Sequence, residues 1–445
     1  MIIEGAHVVT VTGEEYPDGH VVVDGNRITA VGPGRPERGD HTVVDGRGCL
    51  LTPGFVNTHN HLFQWVTRGL AADNTLFEWL TALYPVWAGI DEHAVHTSAS
   101  GALSQLALTG CTTASDHHYL FPRDGGDVLG AGIRAAQDVG LRFHATRGSM
   151  NLGQRDGGLP PDHVTEDLDA IMAASEAAID RWHDPSPDAM LRVALAPCSP
   201  FSVTGDLMRV SAELARARGV LLHTHLAETI DEEDFCRERF GCSPLDYVEG
   251  LGWTGDDVWF AHGIHFDDDG VKKVGATRTG VAHCPSSNAR LGAGIARTRD
   301  LRDAGARVGL GVDGAASNEA GSLLEEVRHA VLFARAVGGP TALSVRDGLE
   351  LATMGGAAVL GRAGEIGSIE PGKLADLALW RIDGLGHADV HDPVAALVLG
   401  APPPLDLLLV DGKPVVEQGR VVTVDTEAIA RECTAVHRTL LEKAS

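Results

Sequence analysis

Apolar residues at the two ends of the chain come in short, β-branched runs that Gly, Asp and Pro interrupt. The first fifty residues contain AHVVTV, HVVVDG, RITAVG and HTVVDG, and the same texture returns late in LADLALW, DLLLVDG, KPVVEQG and RVVTV. Runs of this kind predict strands. We therefore expect a small β-sandwich domain built from residues 1–53 and 364–445. It would end in a helix at TEAIARECTAVHRTLLEKA, where apolar residues recur at helical spacing.

Between these ends, short apolar runs alternate with amphipathic segments that end in glycine. Eight runs terminate in polar residues: GFVNTHNH, TTASDHH, LRFHATR, LRVALAPCS, VLLHTHLAE, VWFAHGIH, TGVAHCPSSN and VGLGVDGAASN. Segments such as DLMRVSAELARARG and LLEEVRHAVLFARAVGG separate them and predict helices. Eight strand–helix units over residues 54–363 predict an α/β fold, with a (β/α)8 TIM-type barrel as the central domain.

Histidine and aspartate concentrate where these predicted strands end, and in a (β/α)8 barrel the C-terminal strand ends carry the catalytic residues. His59 and His61 follow the first run, and side chains two apart on a strand point the same way. About one such pair is expected by chance among 21 histidines. Histidines scattered through a core would show no preference for strand ends, so the clustering favours a metal site.

A catalytic zinc or iron ion takes three or four nitrogen and oxygen ligands and leaves a position for water. His59 and His61 would supply two of these ligands. His225 from the fifth run and Asp313 from the eighth would complete the set. The alternative for HTHLAE, taken alone, is a buried strand whose histidines are satisfied by hydrogen bonds. GVDGAASN on the last strand favours the metal set.

The composition limits the classes of partner. The 445 residues carry a formal net charge of −25, which argues against a nucleic-acid partner because phosphate binding needs a basic face. No apolar run is long enough to cross a bilayer, and the start MIIEGAHVVTV lacks the basic residues of a signal peptide. Seven cysteines without a Cys-x-x-Cys pair indicate neither a disulfide framework nor a zinc ribbon. We expect a reduced, cytoplasmic enzyme with no membrane partner.

Four motifs together resemble the deaminase branch of the amidohydrolase superfamily: PGFVNTHNH, HTHLAE, AHGIH and GVDGAASN. The resemblance covers nearly the whole chain, including PGKLADLALW near its end. It implies that His225 rather than His223 binds the metal and that Glu228 is the proton shuttle. It also implies that His262 hydrogen-bonds the attacking hydroxide or the substrate. Asp313 would be both a metal ligand and the acceptor of the water proton.

The lysine content bears on the number of metal ions. Related binuclear enzymes bridge two metals with a carboxylated lysine at the end of the fourth strand. This chain has no lysine before Lys272, and its fourth run reads LRVALAPCS. The resemblance therefore implies one divalent metal ion per subunit, with zinc as the first choice and iron as the alternative, since both accept this ligand set. Relatives are commonly homo-oligomers, so we expect a homo-oligomer here.

Aromatic and amide side chains near the first strand suggest a pocket for a flat ring. Gln64 lies where related purine deaminases use a glutamine to contact the ring; the alternative is a polar residue at a helix entry. The segment FEWLTALYPVWAGID is unusually aromatic for this chain. Its aromatic residues Phe77, Trp79, Tyr84 and Trp87 could line a pocket, because aromatic faces stack on planar rings. The alternative, an ordinary helix that packs on the barrel rim, is favoured more for Trp79 than for Trp87, which follows a proline in a predicted loop.

Three further side chains lie near predicted strand ends and could bind substrate carbonyl groups: His118, Arg147 and His283. The alternative for each is a structural or surface hydrogen bond.

The resemblance implies hydrolytic deamination of a flat, amino-substituted N-heterocycle. Likeness in NTHNHLFQWVTR, LYPVW, HATRGSM and HDPVAALVLGAPP points first to 8-oxoguanine, which would give urate and ammonia. Isoxanthopterin or another pterin comes second, and a triazine third. Hydrolysis of a cyclic amide fits less well because the bridging lysine is missing. A non-catalytic scaffold fits less well because every expected ligand is present.

Overall fold

The computed structural model describes residues 1–444 and contains seventeen strands in two separate sheets. The strands are β1 (Ile2–Val9), β2 (Glu15–Asp24), β3 (Arg27–Pro33), β4 (Val43–Asp45), β5 (Cys49–Pro53), β6 (Phe55–Asn57), β7 (Cys111–His118), β8 (Arg142–Ser149), β9 (Leu191–Pro197), β10 (Leu222–Leu226), β11 (Val258–His262), β12 (Gly280–His283), β13 (Arg307–Leu310), β14 (Leu377–Arg381), β15 (Leu405–Val410), β16 (Lys413–Glu417) and β17 (Arg420–Val421).

Strands β6 to β13 form a closed barrel in chain order, with every neighbouring pair parallel. The pairing of Leu310 on β13 with Asn57 on β6 closes the ring. Each of the eight predicted runs contributes one of these strands, so the predicted (β/α)8 barrel is confirmed. Because all strands are parallel, their C-terminal ends meet at one mouth of the barrel.

The two ends of the chain form the second sheet, in the order β17-β16-β15-β14-β5-β1-β2-β3, with β4 on β1. Antiparallel pairing of β5 with β14 joins the N-terminal strands to the C-terminal ones, from Leu377 opposite Pro53 to Arg381 opposite Cys49. The predicted terminal β-domain is therefore confirmed as part of the fold class. Its boundaries at residues 53 and 364 stay a prediction.

Alternation along the joining strands gives this sheet two buried faces. Leu51 and Leu379 belong to a hydrophobic cluster within the terminal sheet. Leu50 and Trp380 point the other way and belong to the core shared with the barrel. The Trp380 ring lies 5.5 Å from that of Phe55 on the first barrel strand. The sheet is thus packed directly against the barrel.

Fifteen α-helices connect the strands or flank the barrel. They are α1 (Leu76–Trp87), α2 (Glu92–Leu108), α3 (Val128–Val139), α4 (Leu168–Trp182), α5 (Gly205–Arg218), α6 (Ile230–Phe240), α7 (Pro244–Gly250), α8 (Asp268–Ala276), α9 (Pro285–Arg290), α10 (Thr298–Ala304), α11 (Leu323–Gly338), α12 (Val345–Glu350), α13 (Gly356–Val359), α14 (Pro393–Leu399) and α15 (Thr426–Ala444). Short 3-10 helices span Leu62–Thr67, Gln154–Asp156 and Asp162–Val164, and a π-helical turn spans Leu351–Gly355.

The predicted C-terminal helix is present as α15, and it packs on the barrel helices. Val436 and Leu440 are buried in a cluster that includes residues of α1 and α2. The Nδ1 atom of His437 lies 2.7 Å from the carbonyl oxygen of Val66, in the short helix after the first barrel strand. The helix therefore covers α1 and the segment that follows β6.

All seven cysteines are unpaired thiols, and five of them are buried. Among the helices of residues 1–444, none is both long and apolar enough to cross a membrane.

A buried ion pair joins the barrel to the terminal sheet. Arg142 on β8 donates from Nε and Nη2 to the two carboxylate oxygens of Asp376, each at 3.1 Å, and from Nη1 to the carbonyl of Ala189 at 2.8 Å. Both charged side chains are almost fully buried. Removing one partner of such a pair leaves an uncompensated charge in the interior.

We expect Arg142→Ala to lower the free energy of unfolding by about 3–5 kcal/mol, because Asp376 then stays buried without its partner. The double variant Arg142→Met/Asp376→Leu should recover most of this loss. Thermal unfolding of the full chain measures both. Equal losses in the single and double variants would show that the pairing of charges is not what matters at this position.

Candidate metal centre and active site

Three imidazole nitrogens and one carboxylate oxygen converge at the C-terminal mouth of the barrel. The Nε2 atoms of His61 and His225 are 3.1 Å apart. The Nε2 atoms of His59 and His61 each lie 3.3 Å from Oδ1 of Asp313. All four side chains are buried. The structure thus brings together the four residues that the sequence predicts as metal ligands.

The outward nitrogens of two of these rings bond to backbone carbonyls. Nδ1 of His61 donates to the carbonyl of His117 at 2.7 Å, and Nδ1 of His225 donates to that of Cys198 at 2.7 Å. A carbonyl oxygen can only accept, so the ring proton of each histidine is on Nδ1. Each Nε2 therefore presents a bare lone pair to the centre, which is the form that binds a metal ion.

Burial keeps these rings neutral. It lowers the pKa of His61 to about 3 and also lowers the pKa of His59, against the opposing effect of Asp313. The pKa of His225 is lowered by burial and by the neighbouring histidines. Burial acts to raise the pKa of Asp313, but positive charge beside the carboxylate stabilises its ionised form and holds the pKa well below its usual value. Neutral imidazoles and an ionised carboxylate form a donor set that suits a divalent cation.

The backbone at Asp313 is strained and is held by hydrogen bonds. Its φ of 62° lies in the left-handed region, where non-glycine residues are uncommon. The hydroxyl of Ser287 donates to Oδ2 at 2.6 Å, the N–H of Gly314 donates to Oδ1 at 2.7 Å, and the N–H of Asp313 itself donates to the carbonyl of His59 at 3.0 Å. These contacts aim one carboxylate oxygen at the three imidazoles.

A second pair of predicted catalytic residues lies beside the cluster. Oε2 of Glu228 is 3.5 Å from Nε2 of His262, whose Nδ1 is 2.9 Å from the side-chain oxygen of Asn288. Burial raises the pKa of Glu228 to about 7, so this carboxyl exchanges a proton near neutrality. The backbone N–H of Glu228 donates to the buried carboxylate of Glu232 at 3.0 Å.

Three residues that hydrogen-bond to the predicted site residues were not themselves predicted: Ser287, Asn288 and Glu232. Ser287 and Asn288 hydrogen-bond to the side chains of a predicted ligand and a predicted catalytic residue. Glu232 accepts from the backbone N–H of Glu228. Glu232 follows Glu228 by four residues, the spacing at which a helix turns back over its own start, and that spacing is the one signal of its role that the sequence carries.

A narrow cavity opens onto the cluster and is walled mainly by apolar and aromatic side chains. Its remaining lining residues, beyond the predicted ligands and catalytic pair, are Gln64, Leu76, Trp79, Leu80, Tyr84, Tyr119, Cys198, Ser199, Phe201, Leu291 and Ser317. Four of them lie on α1, and of the four aromatic residues that the sequence offers on this segment, Trp79 and Tyr84 line the cavity whereas Phe77 and Trp87 do not. A wall of this kind suits a planar ring.

Gln64 lies on this wall with its side-chain amide unsatisfied. The side chain is fully buried, and neither Oε1 nor Nε2 makes a hydrogen bond of good geometry among residues 1–444, although the amide is close enough to the Tyr119 hydroxyl to act on the pKa of that group. A Cβ atom on Gly314 would lie 1.9 Å from Oε1 of Gln64, so the amide depends on glycine at that position. A buried amide without partners costs free energy that a ligand with a matching donor and acceptor offsets.

The structure corrects the predicted place of Trp87. The residue is the last of helix α1 rather than part of a loop, is fully buried, and is not among the cavity-lining residues. Its ring packs 5.1 Å from that of Trp79, and its Nε1 donates to the hydroxyl of Thr67 at 3.1 Å. Trp79, two helical turns earlier, is the tryptophan on the wall.

Three other predicted substrate-binding residues also lie away from the cavity wall. Nε2 of His118 is 2.8 Å from the carbonyl of Leu120. Arg147 is buried and bonds to both carboxylate oxygens of Glu166, at 2.7 and 2.9 Å. His283 is buried at the end of β12, and its Nδ1 has no partner among residues 1–444. The contacts of His118 and Arg147 favour structural hydrogen bonding over substrate binding for these two residues.

In (β/α)8 enzymes the active site lies at the C-terminal ends of the strands, which is where this barrel holds its cluster of imidazoles and carboxylates. A family model described as the amidohydrolase family matches residues 50–415. The 8-oxoguanine deaminase of Pseudomonas aeruginosa is 44% identical over 425 residues, which cover 95% of this chain and 94% of that protein. The chain therefore belongs to the amidohydrolase family, and the predicted family and enzyme class are confirmed.

Two further comparisons extend this likeness. An isoxanthopterin deaminase from an unknown prokaryotic organism is 37% identical over 452 residues, which cover 96% of this chain and 92% of that protein. The crystal structure of atrazine chlorohydrolase from Arthrobacter aurescens TC1, complexed with zinc, matches with a TM-score of 0.93 at 33% identity. That match covers 98% of this chain and 99% of the chlorohydrolase chain.

Proposed function

We propose that the protein is a metal-dependent hydrolytic deaminase of an amino-substituted N-heterocycle, and that its substrate is 8-oxoguanine, which it converts with water to urate and ammonia. The observation that carries the proposal is the meeting of unprotonated Nε2 atoms with the Asp313 carboxylate, beside Glu228, at the end of an aromatic-walled cavity. The 44% identity to an 8-oxoguanine deaminase over almost the full chain supports the choice of substrate.

The proposed cofactor is one divalent ion per chain, with zinc first and iron as the alternative. The unpartnered Nε2 of His59 and the lone pairs of His61 and His225 fit such an ion, and Asp313 would complete the set. The zinc complex of the related chlorohydrolase supports zinc. A divalent ion held there would act as a Lewis acid and lower the pKa of a water molecule toward neutrality.

The protein's own residues then handle the protons. Asp313 accepts a proton from the attacking water, and Glu228 donates one to the ring nitrogen next to the carbon under attack, so no unstable ring anion builds up. The proton on Asp313 passes to the exocyclic amine, and the bond between that amine and the ring carbon breaks to release ammonia. The proton that remains on the added oxygen returns to Glu228. A carbonyl group remains where the amine was.

His262 is proposed to hold the oxygen that was added to the ring carbon. Donation from its Nε2 requires that its Nδ1 accept a hydrogen bond. The amide of Asn288 supplies it when its NH2 group, rather than the oxygen that lies 2.9 Å from Nδ1, faces His262. The two ends of an amide are interchangeable in shape, and Nδ2 is buried without a partner among residues 1–444. With the NH2 group facing Nδ1, the proton of His262 is on Nε2, toward Glu228.

Recognition of the ring is proposed to depend on Gln64 and on the aromatic wall. The free amide of Gln64 offers one donor and one acceptor, which match an N–H and a carbonyl side by side on an oxidised purine. Trp79 and Tyr119, both on the cavity wall, supply flat surface for the ring. His118, Arg147, Trp87 and His283 lie outside this wall and take no part in the proposal.

Isoxanthopterin is the second candidate, since an isoxanthopterin deaminase is 37% identical to this chain. The pterin also has a carbonyl beside a ring N–H, which would match the amide of Gln64. A triazine comes third, on the likeness to the chlorohydrolase. Cytoplasmic location and homo-oligomeric assembly stay predictions from the sequence.

Ammonia release from a panel of substrates tests the function. We expect the metal-loaded protein to release ammonia from 8-oxoguanine with a higher kcat/KM than from guanine, isoxanthopterin, cytosine or an aminotriazine. Preferred turnover of the pterin would overturn the substrate and leave the chemistry in place. Release of ammonia from no member of the panel would overturn the proposed function.

Glu228→Gln should lower kcat by about 100-fold to 10,000-fold, because the amide cannot pass a proton to the ring. Elemental analysis should find one metal ion per chain in both this variant and the parent, since Glu228 is not a proposed ligand. Asp231→Asn, on an exposed side chain of the following helix, is the matched control and should leave kcat unchanged. Retained turnover in Glu228→Gln, or two tightly bound ions per chain, contradicts the assignment.

Gly314→Ala should raise KM for 8-oxoguanine about tenfold, because the new methyl group displaces the Gln64 amide and removes a hydrogen bond to the ring. Gln64→Ala should raise KM to a similar extent. Gly364→Ala is the control, since a Cβ at that glycine meets no atom within 4 Å. An unchanged KM in Gly314→Ala, at unchanged metal content, would show that Gln64 does not take part in substrate binding.

A further inference from the structure

The first histidine of HTHLAE, His223, lies behind the metal centre rather than in it. It is fully buried on β10, two residues before the proposed ligand His225. Its Nε2 lies 2.8 Å from Nδ1 of His59, and its Nδ1 lies 2.9 Å from the carbonyl oxygen of Trp259 on β11. Both ring nitrogens are therefore occupied by hydrogen bonds, one to a backbone carbonyl and one to the outer nitrogen of a proposed ligand, although His223 also lies close enough to His59 and His117 to form a candidate ligand group with them.

The direction of these two hydrogen bonds is fixed by the carbonyl at one end. The carbonyl oxygen of Trp259 only accepts, so Nδ1 of His223 carries the ring proton. Nε2 of His223 is then a lone pair and accepts from Nδ1 of His59. With its proton on Nδ1, His59 has a bare Nε2, and that atom faces Asp313 and the other proposed ligands.

The side chain of Trp259 makes two further contacts that hold the His223 and His59 rings in place. Its indole ring stacks on the imidazole of His223, with ring centroids 4.2 Å apart and planes 9° from parallel. Its Nε1 donates to the carbonyl of Thr58 at 3.1 Å, directly before His59 in the chain. One buried side chain thus holds both the plane of the His223 ring and the backbone that carries His59.

His59 differs in this respect from the other two histidine ligands. The Nδ1 atoms of His61 and His225 bond to backbone carbonyls, which no substitution removes. His59 bonds to a side chain instead. Its orientation and its tautomer therefore depend on the identity of one residue outside the ligand set.

We propose that His223 and Trp259 form a positioning relay that holds His59 in the ring orientation and tautomer required for metal binding. The inference rests on the metal site of the proposed function, and it does not depend on which substrate is correct. Outer partners of this kind contribute about 10-fold to 100-fold to metal affinity in other proteins. His223 is thus a positioning residue rather than a ligand.

Two substitutions of His223 separate the relay from simple packing. An asparagine amide reaches the position of the imidazole Nδ1 and can donate to the Trp259 carbonyl, but it does not reach His59. A glutamine amide reaches the position of Nε2 and can accept from His59. We expect His223→Asn to weaken zinc binding about 10-fold to 100-fold and His223→Gln to stay close to the parent.

The measurement is the dissociation constant for zinc, obtained by competition between the metal-free protein and a chelator, with no substrate present. His144→Asn is the matched control. His144 is another buried barrel histidine, with its ring 5.7 Å from that of Trp259 and with no hydrogen-bond partner on either nitrogen among residues 1–444. Its replacement should leave the zinc affinity unchanged.

Trp259→Phe keeps a stacking ring but loses the donation to Thr58, and it should weaken binding by a smaller factor than His223→Asn.

Thermal unfolding of each metal-free variant establishes that it folds. Parent-like affinity in His223→Asn, or equal losses in the Asn and Gln variants, would overturn the relay. Should the Asn variant not fold, parent-like affinity in Trp259→Phe would overturn it. Failure of the parent protein to bind zinc or iron would instead overturn the metal site of the proposed function.

Discussion

The constraint on which the site depends is the burial of several hydrogen-bonding groups at one point with no N–H directed inward. Polar atoms in the interior cost free energy unless each has a partner. The protein satisfies the outer nitrogen of every ring, through carbonyls for His61 and His225 and through His223 for His59. The inner lone pairs are left with each other and with Asp313, and a cation is the partner that satisfies all of them at once.

The fold supplies the rigidity that this arrangement needs. Ala227, His262 and Asp313 all have positive φ, and left-handed backbone at non-glycine residues costs about 1–3 kcal/mol each. Such strain persists only where surrounding structure determines it. The closed barrel fixes the strand ends, and α15 packs over α1, whose residues form the cavity wall. The terminal sheet therefore contributes to the site indirectly, by bracing the barrel through the β5–β14 pair and Arg142.

The convergence of His59, His61, His225 and Asp313 at one mouth of the barrel could be predicted because the signals for it are local: paired histidines, strand ends and the order of the runs. The wall could be predicted only in part, at Gln64, because the rest depends on which side each residue faces. His117 and His118 are adjacent on β7, yet only His117 packs into the histidine cluster, since side chains alternate along a strand. Trp87 was misplaced because Pro85 suggested a loop. The helix continues through Pro85, which is exposed, so water can satisfy the carbonyl that the proline leaves unpaired.

The proposed chemistry and the proposed specificity reside in different parts of the cavity. The relatives include an 8-oxoguanine deaminase, an isoxanthopterin deaminase and an atrazine chlorohydrolase. A cluster that activates water does not by itself select among leaving groups. Selection must then come from the wall, where the buried amide of Gln64 has no partner among residues 1–444. A site built around such a group rejects ligands that leave it unpaired far more strongly than a purely apolar pocket rejects a change of shape.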